Sequence, residues 1–272
     1  MNLSMCLDFW GLKKQPFEQI SDPSFFYRSA ETEDVMSRFN YVVKRNKGAA
    51  LMTGTLGCGK TTLLIAWSDR LLQDGNAIVP VAGSFPDVIG FLKKIALQLD
   101  LHLDDADGKL NILRMIQAKV VQNAQRNVRT IFLIDDAENL PQATLNELSL
   151  LLNVLSDVAL PATLILSGQP VLKEQIGKLR DFCQRLTMRC RLGGMNVDDT
   201  AGYIAHRLQT AGMIKEIFTF EALVKIHDLT EGIPSRINDV CKHCLENGAL
   251  NGAPMIGVDI VYTIIQEYFR NL

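Results

Sequence analysis

The sequence predicts an α/β protein with a three-layer arrangement, in which helices cover both faces of a parallel β-sheet, followed by an all-helical C-terminal domain. Two observations lead to this prediction. Up to residue 193, short apolar runs alternate with segments of helical periodicity, as in parallel sheets whose strands are joined by crossover helices. Beyond Gly193 and Gly194, only helical periodicity remains. A chain of 272 residues has room for one such α/β domain and a smaller appendage.

The individual elements follow from local composition. Runs rich in β-branched and aromatic residues predict strands, and apolar residues with a helical period predict helices. Asp198 and Thr219 are the expected N-caps of two C-terminal helices. The strands are expected at residues 49–53, 77–82, 130–135, 162–167 and 187–192, and the helices at 86–99, 108–125, 142–157, 198–211, 220–230, 235–247 and 258–270.

Bulk composition places the chain among globular proteins of a reducing compartment. The net charge of −2 gives no overall attraction to DNA or anionic lipid, although a local basic patch is compatible with it. No basic n-region precedes Leu12, and no apolar run approaches the ~18 residues of a membrane span. Six cysteines without a disulfide-like spacing suit reducing conditions. We therefore expect no membrane span and a cytoplasmic location, with the periphery of the inner membrane as the second choice.

The stretch GAALMTGTLGCGKTTLLIAW, residues 48–67, combines an apolar strand, a glycine turn and a helical pattern. Its residues from Gly54 to Thr61 match G-x-x-x-x-G-K-[ST], the pattern of a phosphate-binding loop, in the required strand–loop–helix context. Glycines let backbone N–H groups curl around phosphate oxygens, and the following helix adds its positive N-terminal end. Lys60 is expected to reach the β- and γ-phosphates, and the Thr61 hydroxyl to ligate Mg²⁺. The expected phosphate-binding residues are Gly54, Thr55, Leu56, Gly57, Cys58, Gly59, Lys60, Thr61 and Thr62.

A second stretch, FLIDDAENLP at residues 132–141, runs from a buried strand directly into three carboxylates. The carboxyl end of a parallel strand is where α/β sheets place their ligands. Asp135 is expected to hold Mg²⁺ through water, and Asp136 and Glu138 to orient the water that attacks the γ-phosphate. The alternative is a solvated acidic loop. Together the two stretches predict that the chain binds and hydrolyses ATP with Mg²⁺.

Beyond these two stretches, the chain resembles AAA+ ATPases, and more narrowly the ExeA/GspA-type secretion ATPases with their relatives in Tn7- and Mu-like transposition and in pilus biogenesis. The resemblance covers nearly the whole chain. It is carried by FWGLKKQPFEQISDPSFFYRSAETEDV (9–35), LSGQPVL (166–172), LRDFCQRLTMRCRL (179–192) and GIPSRIN (232–238). It implies a linker and a helix against the adenine site at residues 1–47, a nucleotide-binding core at 48–193 and a helical lid at 194–272.

The resemblance also implies roles for single residues. Ser167 and Gln169 fall in the sensor-1 region next to the γ-phosphate, and Arg236 is the candidate sensor 2 on the lid. Arg185 resembles the arginine finger that reaches the nucleotide of a neighbouring subunit, with Arg189 as second choice. Residues 16–27 are expected against the adenine. Simpler alternatives are that Gln169 starts a helix, that the aromatic residues 25–27 pack in the core, and that a basic cluster faces solvent or nucleic acid. This cluster consists of Lys178, Arg180, Arg185, Arg189 and Arg191.

The chain departs from the family pattern at two places. Where the family usually has Asp-Glu-Ala-Gln, this chain has Asp-Asp-Ala-Glu from Asp135 to Glu138. The Asp136 carboxylate therefore falls short by roughly 1.5 Å, which can cost about a hundredfold in a positioned reaction. Glu138 is long enough to replace it. We expect slow hydrolysis and a long-lived, assembled ATP state. The second departure is Ser235, which stands where the family often has arginine, one position before Arg236.

Two cysteine features suggest other chemistry. Cys241 and Cys244 are spaced like half of a zinc site, but a second pair is missing and His227 is too loosely placed, so we expect ordinary thiols on a helix. Cys58 lies inside the phosphate loop, where the positive helix end favours an oxidisable thiolate.

The biological task has two interpretations of different classes. The favoured one is a homo-oligomeric ring or filament that assembles a secretion or pilus machine through protein partners. The lack of a membrane span and of a periplasmic extension argues against a full ExeA-type role, but not against that of shorter pilus relatives. The other is an ATP-dependent regulator of transposition that polymerises on duplex DNA and recruits a transposase. A weaker third is a nucleotide-gated switch with negligible turnover.

Overall fold

The computed structural model describes residues 3–18, 22–46, 48–104, 106–156 and 160–268. The chain divides into two compact units. The sheet unit comprises Thr32–Leu56 and Lys60–Leu192, and the helical unit comprises the described parts of Met1–Glu31, Gly57–Gly59 and Gly193–Leu272. Residue 47, where we expect the first domain boundary, lies outside the described residues.

The sheet unit is built on five parallel strands in the order β2-β3-β4-β1-β5. The predicted parallel α/β sheet is therefore confirmed, with strand bounds shifted by one residue at most. The strands are β1 (Ala49–Gly54), β2 (Ala77–Val81), β3 (Thr130–Ile134), β4 (Ala162–Gly168) and β5 (Leu186–Leu192). The helices of the chain, in order, are α1 (Leu3–Trp10), α2 (Ala30–Lys44), α3 (Lys60–Gln73), α4 (Val88–Gln98), α5 (Lys109–Gln125), α6 (Gln142–Ser156), α7 (Val171–Gly177), α8 (Arg180–Arg185), α9 (Val197–Thr210), α10 (Phe220–Thr230), α11 (Pro234–Leu250) and α12 (Val258–Tyr268).

The central strands are buried on both faces, which explains their predominantly apolar sequences. On β3, Phe132 and Ile134 pack into one core cluster with helices α4 to α8. Their neighbours Ile131 and Leu133 are buried as well, on the opposite side of the strand. Helix α3 contacts β1, β2 and β4 and covers sheet residues outside that cluster. The sheet thus lies between two helical layers, as predicted.

The helical unit contains α1 and α9–α12 around one apolar core. The indole N–H of Trp10 on α1 donates to the carbonyl of Leu245 on α11 at 2.9 Å. Cys241 and Cys244 are fully buried on α11. None of the described helices is both long and apolar enough to cross a bilayer.

Most helix ends in this unit follow the predictions. Thr219 accepts a hydrogen bond from the backbone N–H of Ala222 at 3.2 Å and caps α10 as expected. The predicted cap Asp198 is wrong, because Asn196 caps α9 instead, accepting from Asp199 N at 2.8 Å. Asp198 lies in the first turn, where its charge favours the positive end of the helix. Residues 157, 269 and 270, the predicted ends of α6 and α12, lie outside the described residues.

Arg207 on α9 binds the N-terminal segment, residues 16–25, within the helical unit. Its side chain is 6% exposed, and its guanidinium donates to the carbonyls of Pro16 and Glu18 and to the Tyr203 hydroxyl. The guanidinium carbon lies 4.9 Å from the centre of the Phe25 ring, a cation–π contact. Phe25 is buried in the core of this unit, which agrees with the core-packing alternative for the aromatic residues.

Candidate functional site

The phosphate loop joins the end of β1 to the start of α3. Gly57 and Gly59 adopt φ angles of +78° and +95°, a left-handed region that favours glycine. At position 57 glycine is also needed for space, because an added Cβ would lie 1.9 Å from the Ser235 Oγ. The backbone N–H of Ser235 donates to the Gly57 carbonyl at 3.2 Å. The apex of the loop is therefore held by the first turn of α11.

Lys60 is the first residue of α3, and it is 6% exposed. Its ammonium donates to the carbonyls of Gly54 and Thr55, both at 2.9 Å. Thr55 and Leu56 are exposed, whereas Cys58 is buried in the loop. The positive charge is thus fixed at the base of the glycine turn, where α3 begins.

Thr61 and Asp135, the two predicted metal ligands, lie side by side. The Thr61 hydroxyl donates to the Asp135 Oδ2 at 2.6 Å, and the Asp135 backbone N–H is fixed to the Val81 carbonyl at 2.9 Å. The other carboxylate oxygen, Oδ1, is buried and accepts no hydrogen bond from any described residue. Mg²⁺ prefers oxygen ligands of this kind, mostly with water completing its shell. The donor set therefore fits a magnesium ion.

Asp136 has an unusual backbone. Its φ of 50° and ψ of 38° place it in the left-handed region, from which the 3-10 turn Ala137–Asn139 starts. The residue as a whole is exposed, but partial burial of its carboxyl raises the pKa, and the charges of Asp135 and Glu138 raise it further. The Lys60 ammonium acts in the opposite direction. The acidic turn is thus one electrostatic cluster with the phosphate-loop lysine.

Glu138 points inward from this turn. A Cβ added to Gly168, the last residue of β4, would lie 2.3 Å from the Glu138 Oε2. The neighbouring Ser167 has a buried hydroxyl without a hydrogen-bond partner in the described part of the chain. Gln169 is half-buried and directly precedes Pro170, the N-cap of α7. Its carbonyl accepts a hydrogen bond from the Leu172 N–H at 2.9 Å. The structure thus brings Glu138 to the end of β4, beside the sensor-1 candidates.

The candidate arginines lie elsewhere in the two units. Arg185 ends α8 and is half-buried, with its carbonyl 2.6 Å from the position of a Cβ on Gly48. Arg189 and Arg191 are exposed on the edge strand β5, and Lys178 and Arg180 are exposed before it. Four of the five residues of the basic cluster are therefore exposed, and Arg185 is the exception.

In the helical unit, Arg236 forms a half-exposed ion pair with Glu231 at 3.1 Å. The residue of α11 that touches the phosphate loop is Ser235, the position of the second departure from the family. Residues 19–21 of the segment expected against the adenine lie outside the described residues.

The cysteines offer no metal centre in the described part of the chain. No cluster of three or more His, Cys, Asp or Glu side chains suited to a metal occurs there. Burial raises the pKa of Cys244 to about 12 and that of Cys241 well above its usual value, so both remain neutral thiols at physiological pH. Of the two positions expected for these thiols, core or surface, the structure shows the core.

Three contacts of the site regions were not predicted: Ser235 with Gly57, Arg207 with the N-terminal segment, and Gln175 with the acidic turn. The departure from the family at Ser235 was the only available signal for the first. The other two join positions far apart in sequence, and residue type alone does not reveal such pairs.

Comparison with known proteins agrees with this geometry. A family model described as an AAA domain matches residues 43–176. General secretion pathway protein A of Aeromonas hydrophila is 30% identical over 243 residues, covering 89% of this chain and 44% of that protein. The chain thus spans less than half the length of this relative.

Solved structures show the same fold at low identity. The Aeropyrum pernix ORC2 protein, in its ADPNP–ADP complexes, has a TM-score of 0.69 at 17% identity, covering 94% of this chain and 72% of that one. Cdc6p from Pyrobaculum aerophilum has a TM-score of 0.70 at 16% identity, covering 91% and 71%. Domain III of Thermotoga maritima DnaA has a TM-score of 0.56 at 16% identity, covering 94% and 99%. By its sequence relationship and its fold, the chain belongs to the AAA+ ATPases, and among them to the type represented by general secretion pathway protein A.

Proposed function

We propose that this AAA+ ATPase works as an oligomeric assembly ATPase for a secretion or pilus biogenesis machine at the bacterial inner membrane. The observation that supports the nucleotide chemistry most is the 2.6 Å hydrogen bond between Thr61 and Asp135. It joins the phosphate loop to the acidic end of β3, which is the arrangement a magnesium-bound triphosphate requires. The secretion role is supported by the relationship to general secretion pathway protein A.

Each residue of the site has a proposed task. Lys60 binds the β- and γ-phosphates together with the backbone N–H groups of residues 54–62. Thr61 and Asp135 hold Mg²⁺, which neutralises charge on the phosphate oxygens when bound. Asp136 or Glu138 orients the attacking water. The remaining proposed contacts with the nucleotide come from Ser167, Gln169 and Arg236, and from Arg185 of a neighbouring subunit in a ring or filament.

We propose three domains with separate roles. Residues 48–193 form the nucleotide-binding core, residues 194–272 the lid, and residues 1–47 a linker and helix against the adenine. The Arg207 contacts support a fixed position for this N-terminal segment. Because the chain spans less than half of its secretion relative, its protein partners belong to the proposal as well.

Slow turnover is a specific part of the proposal, and Asp136→Glu tests it. Lengthening the side chain by one methylene moves the carboxylate forward by roughly 1.5 Å, to the position that the family's glutamate would occupy. The hydrolysis rate is therefore expected to rise by up to about a hundredfold. Steady-state phosphate release measures this, with Asp74→Glu, an exposed turn position, as the matched control. An unchanged rate in Asp136→Glu would count against a catalytic defect at this position.

The alternative function, binding of duplex DNA in transposition, is supported by the exposed positive charges of Lys178, Arg180, Arg189 and Arg191. A salt titration of duplex binding in the presence of ATP separates the two functions. A DNA-bound filament loses about 10³-fold or more in affinity between 50 and 200 mM salt when it contacts several phosphates. We expect an assembly ATPase to bind weakly at every salt concentration.

The basic cluster itself can be tested in the same assay. If Arg189→Glu with Arg191→Glu abolishes a salt-sensitive affinity while Arg126→Glu with Lys173→Glu does not, the transposition function is favoured. The two pairs change the charge equally, and all four side chains are exposed. Weak binding that responds equally to both pairs supports the assembly function.

A further inference from the structure

The Glu138 carboxyl group is buried and has no evident structural role in the fold. Both of its oxygens are inaccessible to solvent, and neither accepts a hydrogen bond from the part of the chain that the structure describes. Burying a carboxyl group without a hydrogen-bond partner is strongly unfavourable, so folded proteins retain such groups mainly where a ligand or a reaction uses them.

The position of this carboxylate is close to the phosphate loop. Its Oε2 lies against Gly168, which is in register with Thr53 on the neighbouring strand β1. One residue further, β1 reaches Gly54 and the loop begins. Gly168 is the last residue of β4, which lies between β1 and β3 in the sheet. The Glu138 carboxyl group therefore lies between the strand that leads into the phosphate loop and the strand that directly precedes Asp135.

Gln175 on α7 fixes the turn that carries Glu138. Its side-chain Nε2 donates to the Glu138 carbonyl at 3.1 Å. Its Oε1 is buried and has no partner among the described residues, so the amide also presents an unused acceptor. Helix α7, which carries Gln175, contacts both the 3-10 turn and β1.

Asp136 lacks comparable support. Its side chain makes no capping hydrogen bond to the turn that follows it, its backbone is left-handed, and the residue is exposed. A carboxylate that must hold water at a fixed distance needs a locked side chain. By this criterion Glu138 is the better candidate of the two.

We infer that Glu138, rather than Asp136, orients the water that attacks the γ-phosphate, and that Gln175 is its positioning residue. This inference rests on the proposed ATP hydrolysis. The water oxygen forms the new bond to the γ-phosphorus while the bond from that phosphorus to the β–γ bridging oxygen breaks. One water proton passes to the Glu138 carboxylate, and the products are ADP and inorganic phosphate. Glu138 then passes its proton to the inorganic phosphate, which leaves the site with it.

Glu138→Gln is the primary test, measured as single-turnover hydrolysis and as equilibrium ATP affinity. The substitution keeps the size and shape of the buried side chain, so we expect the variant to fold like wild type. The hydrolysis rate is expected to fall at least about a hundredfold with ATP affinity within about twofold of wild type. Asp136→Asn is expected to lose about tenfold or less. A smaller loss in Glu138→Gln than in Asp136→Asn would overturn the assignment.

Gln175→Leu tests the positioning role, because it keeps the side-chain volume and removes the hydrogen bond. We expect kcat to fall about tenfold with KM unchanged, and no further loss when Gln175→Leu is added to Glu138→Gln. A purely structural glutamine would lower the rate equally in both backgrounds, which would refute the positioning role. Glu174→Gln, an exposed neighbour on α7, is the matched control and should hydrolyse ATP like wild type.

A rescue experiment completes the set. If Glu138 replaces a missing glutamate at position 136, then Asp136→Glu introduced into Glu138→Gln should restore at least about tenfold of the lost rate. No recovery would mean that Glu138 acts in some other way. Failure of the proposed function gives a different result, because wild-type protein would then neither bind nor hydrolyse ATP. Failure of the Glu138 assignment alone leaves wild-type ATP binding and hydrolysis intact.

Discussion

Replacing Gly232 by alanine is expected to lower the free energy of unfolding of the helical unit by about 3 kcal/mol or more. Gly232 adopts a φ of +68°, and an added Cβ would lie 1.9 Å from the carbonyl oxygen of Met195 and 2.6 Å from its nitrogen. These are backbone atoms, so the contact is relieved only by moving the chain. The Gly232 carbonyl also accepts from the Met195 N–H at 2.9 Å, a bond that such a movement would break.

Gly252→Ala is the matched control for this prediction. Gly252 belongs to the same unit and has a similar φ of +62°, but no atom lies within 4 Å of its added Cβ. The Gly252→Ala variant should therefore lose only the free energy of unfolding that a left-handed backbone costs a residue with a Cβ, about 1 kcal/mol. Chemical denaturation followed by far-UV circular dichroism measures both values. Equal losses in the two variants would show that the close approach of Gly232 to Met195 is unimportant for stability.

Lys60→Ala is expected to reduce ATP affinity by at least about a hundredfold, roughly 3 kcal/mol, while the fold persists. The variant removes the buried ammonium and leaves the Gly54 and Thr55 carbonyls of the phosphate loop without their donor. Both the charge that faces the β- and γ-phosphates and the bonds that hold the loop closed are then lost. Isothermal titration with ATP measures the effect, with Lys173→Ala, an exposed lysine of the sheet unit, as the control.

The sheet and its acidic end were predictable because the signals are local. The run from Ile131 to Ile134 is apolar at every position, and burial on both faces is the physical cause of that pattern. The phosphate loop needs glycines at fixed spacing because only they adopt its positive φ angles, here at Gly57 and Gly59. The approach of Thr61 to Asp135 followed from placing both motifs at the same edge of one sheet.

Contacts between distant segments were beyond such reasoning. Arg207 appears in the sequence as one polar residue on an amphipathic helix, yet it is buried and bonded to carbonyls 189 and 191 positions away. Carbonyl acceptors are present at every residue and leave no trace in the sequence. The same applies to Gln175, whose partner is the carbonyl of Glu138.

The directions in which side chains point could not be predicted from the sequence either. Asp136 and Glu138 were both predicted near the γ-phosphate from their distance along the chain after β3. The left-handed backbone at Asp136 and the 3-10 turn after it separate their orientations, so that Glu138 turns inward and Asp136 remains exposed. The wrong N-cap at Asp198 has a similar origin, since Asp198, Asp199 and Asn196 all suit a helix start and only the backbone selects among them.

The most direct test of the account is the affinity of wild-type protein for ATP, measured with Mg²⁺ and again after chelation. If the glycine loop and the acidic strand end share one magnesium-bound triphosphate, Mg²⁺ should tighten ATP binding in wild type and have little effect in Asp135→Asn. Absence of ATP binding in wild type, or an Asp135→Asn variant whose binding depends on Mg²⁺ as strongly as that of wild type, would contradict it.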